Sequence, residues 1–157
     1  MADWKEITSQ DDMDELFNIY GGFHDSCIVS VSYKSGAFVD GERSMHFGSP
    51  AERELVVVFH RQWEPKILEM CFTGLRQLHL TGWQDHYLCD ISDAHLSFNE
   101  GLLPGKPDKV IVWADSSYFD GENTNNTIHE PSDTYIVANA LKWRIIFPKE
   151  AQQILLD

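Results

Sequence analysis

Met13, Leu16, Phe17 and Tyr20 stand at i, i+3, i+4 and i+7, one apolar stripe at helical spacing. Ser9 precedes the stripe as an N-cap. Asp11, Asp12, Asp14 and Glu15 crowd the first turns, where the helix dipole favours negative charge. Gly21-Gly22 ends the pattern, because glycine accepts the left-handed exit. The spacing predicts one N-terminal helix.

Beyond the glycines the period falls to two. Cys27, Val29, Val31 and Tyr33 alternate with Ser26, Ser30 and Ser32, which predicts a half-buried strand. Lys34-Ser35-Gly36 and Asp40-Gly41 read as turns, with a short strand over 44–47. Leu55-Val56-Val57-Val58-Phe59 is apolar on both faces and belongs inside a sheet. Residues 67–72 and 75–80 read as two strands around Thr73-Gly74. A long strand region over 86–98, with a bulge near Ser92-Asp93, precedes a loop at 101–107 and a strand at 109–114. In 135–147, Leu141, Trp143, Ile145 and Phe147 share one face opposite Lys142 and Arg144. The tail 151–156 reads as a last helical turn or a frayed end. These elements predict a single domain over residues 1–157, mainly β (α+β). The expected architecture is an antiparallel β-sandwich or half-open barrel of roughly eight or nine strands with one N-terminal α-helix.

Composition narrows the function classes. An apolar fraction of 43% supplies a core, so wholesale disorder is not expected. No apolar run has the roughly 18 residues that a membrane span needs, and residues 1–6 lack a secretory signature, so a cytoplasmic location is expected. Cys27, Cys71 and Cys89 are odd in number and far apart, and read as reduced core residues. The net charge is −13, and from Gln77 to Leu141 only Lys106 and Lys109 face ten carboxylates. Such a surface repels nucleic acid and anionic membranes but attracts a basic protein.

The candidate chemistry is sparse. His24 and Asp25, in Gly21-Gly22-Phe23-His24-Asp25-Ser26, could form an acid–base pair or offer metal ligands. Neighbours on a regular strand point to opposite faces, so that role requires an irregular backbone. Otherwise the two side chains brace the helix end and the strand start. The acidic stretch 115–133 contains Asp120-Gly121-Glu122-Asn123 but fails the register of a calcium loop. It reads as a contact loop for a partner, with Asp115, Asp120 and Glu122 as binding residues. Residues 101–107 are one residue short of a phosphate loop, and Pro107 stands where Ser or Thr is needed. The seven histidines form no zinc-type close pair in sequence, and Trp63, Trp83, Trp113 and Trp143 read as core or edge packing. No cofactor and no metal site are expected, and a non-enzymatic domain is favoured over an enzyme.

Phe23-His24-Asp25-Ser26, followed by Cys71-Phe72-Thr73-Gly74-Leu75-Arg76-Gln77-Leu78-His79-Leu80, resembles small bacterial proteins of uncharacterised function. Those carry Phe-His-Asp at the start of the first strand and a Phe-x-Gly-Val-x-x-Leu-x-Leu-like hairpin, with Leu75 here in the Val position. The resemblance spans residues 4–98. Some such domains look like immunity proteins, which neutralise toxins by binding them. Together with the acidic surface, the resemblance implies a bacterial, cytoplasmic protein-binding domain, immunity-type, with a basic partner. Two alternatives stay open: a small hydrolase or metal-dependent enzyme using His24 and Asp25, and a self-associating structural subunit pairing through a sheet edge.

Overall fold

Ser9 is the N-cap of helix α1 (Gln10–Ile19): its hydroxyl accepts from the Asp12 amide, and the Asp12 carboxylate accepts from the Ser9 amide. This reciprocal box satisfies amides that have no partner inside the helix. The computed structural model describes residues 3–82, 89–102, 108–116 and 134–147. Its strands are β1 (Lys5–Glu6), β2 (Ser26–Lys34), β3 (Phe38–Val39), β4 (Met45–His46), β5 (Glu54–Arg61), β6 (Ile67–His79), β7 (His95–Glu100), β8 (Lys109–Ala114) and β9 (Tyr135–Ile146). Among the described residues, no helix is long and apolar enough to cross a membrane.

Seven strands form one antiparallel sheet in the order β2-β5-β6-β9-β8-β7, with β1 also paired to β9; β3 and β4 make a separate hairpin. The sheet curls. Phe59 on β5 and Trp113 on β8 lie three strand spacings apart, roughly 14 Å on a flat sheet. Their ring centroids are nevertheless 5.2 Å apart. Helix α1 lies in the concavity, where Met13, Leu16 and Tyr20 join Leu55, Phe72, Leu141 and Trp143 in the main core. At the β8–β9 end the opposite face is buried too, through Val110, Val112, Ala114, Tyr135 and Val137. The result is a half-open barrel around a helix, mainly β and not closed.

Three local expectations need correction. The phase of β2 is not constant: a bulge between Ile28 and Ser30 turns Ile28 and Val31 toward the core and leaves Val29 48% exposed. The segment around Thr73-Gly74 is not a turn but the middle of the single strand β6. Gly74 there has φ +64°, and a Cβ on it would meet the Asn139 side chain within 3 Å, so a side chain is excluded both by backbone and by space. The strand expected over 86–98 begins at His95; Ile91 makes only an isolated bridge to Ser26, and 86–88 lie outside the described residues. Trp113 and Trp143 are core residues as expected, whereas Trp63 is exposed. Trp83 and the tail 151–156 lie outside the described residues.

Candidate functional site

The passage from α1 to β2 runs through left-handed backbone at Gly21, Gly22, Phe23 and Asp25 (φ +58°, +63°, +65° and +58°). That irregularity is what the His24–Asp25 pair required. It brings His24 Nε2 to 3.5 Å from Asp25 Oδ2. Both side chains are also engaged elsewhere. His24 Nδ1 lies 2.7 Å from the Ser92 carbonyl, and the Trp63 indole donates to Asp25 Oδ2 at 3.2 Å. The Asp25 backbone donates to Ile91 O and accepts from Gln62 N. The pair therefore joins three segments: the β2 entry, the loop after β5 and the segment at 91–92.

Both imidazole nitrogens face acceptors, so the protonated ring is favoured. The Ser92 carbonyl raises the His24 pKa above its ordinary value, and Asp25 and Asp93 add to the effect. With these contacts the pair acts as a clasp between the three segments. A raised folded-state pKa means tighter proton binding in the folded state. The stabilisation is full below the ordinary value of 6.5 and is lost as pH rises through the folded value. The stability difference between wild type and His24→Gln should therefore be largest in mild acid and shrink above neutrality. Urea titrations of both proteins across that range check this; a difference that grows with pH contradicts it.

The β3–β4 hairpin was visible in sequence only as turns and one short strand. It pairs Phe38 with His46 and Val39 with Met45, and no other described strand joins it. Asp40 holds it together: Oδ1 accepts from the Glu42 and Ser44 amides, and Oδ2 lies 2.8 Å from His46 Nε2. The His46 contact is the largest cause of a lowered Asp40 pKa. The Phe38 and His46 rings stack at 4.6 Å. Phe38, Val39, Met45 and Phe47 nevertheless stay in solvent, between 57% and 68% exposed. The register places Val39 and Met45 on one face of the hairpin and Phe38 and His46 on the other, so this ordered projection presents large apolar side chains to solvent on both sides.

A third feature is the seam left by the unclosed sheet. Ile91 pairs with Ser26 at one end of β2, and Cys89 has left-handed backbone at φ +64°. Beyond it lies a cleft of about 340 Å³ lined by Ile28, Val29, Ser30 and Val31 on one wall and by Leu80, Thr81, Gly82, Cys89, Ile91, Asp115 and Thr134 on the other. Asp115 stands in this wall. It is 8% exposed, and its amide donates to Thr134 O at 2.8 Å. Asp120 and Glu122 lie outside the described residues.

Of the cysteines, only Cys71 sits in the core, where burial pushes its thiol up to about 11. Cys27 and Cys89 are partly exposed, against the expectation of three core residues, because one lies on an edge strand and the other on the seam wall. Among the described residues, no three His, Cys, Asp or Glu side chains converge as metal ligands. No family model, no curated protein and no solved structure matches the chain.

Proposed function

We propose that this chain is a cytoplasmic protein-binding domain that takes a basic protein partner. The observation that carries this reading is the β3–β4 hairpin, whose exposed Phe38, Val39, Met45 and Phe47 are held in place by Asp40 and His46. A two-stranded hairpin with apolar side chains in water gains nothing for the fold. Against a partner the same side chains become anchors, already ordered and therefore needing little further loss of freedom on binding. The hairpin itself contributes little charge, since over residues 38–46 Asp40 and Glu42 are offset in part by Arg43. The attraction for a basic partner comes instead from the overall charge of −13, including the acidic stretch with Asp115, Asp120 and Glu122. The resemblance through Phe23-His24-Asp25-Ser26 suggests the more specific form, an immunity-type protein that neutralises a toxin by binding it.

The test is capture from bacterial lysate with two baits, the wild-type chain and the triple variant Phe38→Ser, Met45→Ser, Phe47→Ser. These positions are exposed, so the variant should keep the fold. A basic protein recovered near stoichiometry by the wild type and lost with the variant supports the reading. Equal recovery by both baits removes the hairpin from it.

A further inference from the structure

We infer that the seam beside β2 receives an extended, basic segment of the partner as an added strand. This rests on the protein-binding reading and says where and how a second part of the partner is held.

Four consecutive β2 residues, Ile28, Val29, Ser30 and Val31, line the cleft. They lie on the terminal strand of the sheet, around its bulge, so this wall borders a sheet edge. Among the described residues, β2 pairs with β5 along one side and meets only Ile91 on the other. The ladder that Ile91 begins therefore has about 10 Å of edge left open, room for three or four extended residues. Leu80 and Val29, both exposed, give the groove an apolar lining. Strand addition suits such a site: backbone hydrogen bonds supply affinity and the alternate side chains supply selectivity.

The charge of the occupant is set by the far wall. Residues 80–82, 89, 91, 115 and 134 form that wall. Asp115 stands in the wall itself, and Asp90 adjoins Cys89. No basic side chain lines the cleft among the described residues. A strand alternating small apolar residues with Lys or Arg would place its apolar side chains against Leu80 and Val29 and its cations toward Asp115 and Asp90.

The probe is the acetylated and amidated pentapeptide Val-Lys-Val-Lys-Val, titrated into the ¹⁵N-labelled full chain and followed by amide shifts. Three comparisons accompany it: the Val-Glu-Val-Glu-Val peptide, a Lys peptide N-methylated at alternate residues, and the Asp115→Asn variant. The expected result is saturable shifts centred on residues 28–31, with both altered peptides about tenfold weaker or worse, since each loses hydrogen bonds or gains charge repulsion. Asp115→Asn, which keeps the side-chain shape, should weaken the Lys peptide several-fold. Four results overturn the inference: no shifts at millimolar peptide, equal binding of the N-methylated peptide, resistance of all four 28–31 amides to exchange in the free monomer, or a dimer formed through β2. If the hairpin-dependent partner is still captured in those cases, only the seam assignment fails; if neither the peptide nor a partner binds, the protein-binding reading fails with it.

Discussion

Phe23→Ala is expected to destabilise the fold by about 3–5 kcal/mol, the range for removing a buried aromatic ring. Phe23 is fully buried, and its ring meets Phe17, Tyr20, Phe59 and Trp113 edge-on at 5.2–5.6 Å between centroids. It links Phe17 and Tyr20, at the end of helix α1, to Phe59 on β5 and Trp113 on β8, the strands that the curl of the sheet brings together. Losing it leaves a cavity where the curvature is held. The backbone adds a second expectation. Phe23 has φ +65°, a left-handed conformation that costs a non-glycine residue roughly 1–2 kcal/mol. Phe23→Gly loses the same ring but relieves that strain. Glycine should therefore be no worse than alanine at this position, the reverse of the usual order in ordered backbone. Urea unfolding of the three proteins decides it, and an alanine variant within about 1 kcal/mol of wild type, the size of an ordinary mutation's effect, would contradict the packing account.

Arg61→Met should destabilise by about 2–4 kcal/mol, the consequence of leaving several carbonyls without their donor. The guanidinium donates from Nε to Trp63 O at 3.0 Å and to Pro65 O at 2.9 Å, and from a terminal nitrogen to Ile19 O and Glu64 O. It also lies over the Tyr20 ring at 4.7 Å. One cation thus neutralises the C-terminal end of α1, stacks on a core aromatic and folds the loop after β5 around itself. Methionine keeps the apolar stem and none of the donors, so the loss reports on hydrogen bonding rather than volume. Because the loop carries Trp63, the variant should also release the indole from Asp25. A shift of the Trp63 indole N–H resonance at temperatures below unfolding would show it; unchanged stability and an unchanged indole resonance would mean that the loop carbonyls are satisfied another way.

Much of the architecture could be read from local pattern. The helix was legible because cap, stripe and glycine stop agree within one short stretch of chain, and the structure places all three where the pattern does. The strand at 26–34 was legible as an element, but its inward face was not. The Cys27, Val29, Val31, Tyr33 alternation continues unbroken through a bulge that no glycine or proline marks. Gly74 misled for the opposite reason: a residue that usually punctuates a turn is here a left-handed position inside one strand, beside a register shift between Leu75 and Gln77. Among the candidate site residues, His24 and Asp25 could be paired only by asking for irregular backbone, and left-handed Asp25 supplies it. The seam could not be found at all by reading along the chain. Its two walls, β2 and the segments from Leu80 onward, are far apart in sequence and meet only because the sheet curls. The hairpin did leave a signal, Phe38-Val39 and Met45-His46-Phe47 around a tight turn, too short to reach the core and too apolar for a solvated loop.

The most direct measurement of the central claim is calorimetric titration of the captured basic partner into the wild-type chain and into the Phe38→Ser, Met45→Ser, Phe47→Ser variant, at low and moderate salt. Loss of three exposed anchors should weaken affinity by about a hundredfold, and salt should weaken both proteins by a similar factor, because most of the net charge lies away from the hairpin and the substitutions change none of it. Affinities equal for the two proteins, or insensitive to salt, would contradict the reading of this chain as an acidic domain that anchors a basic protein on its hairpin.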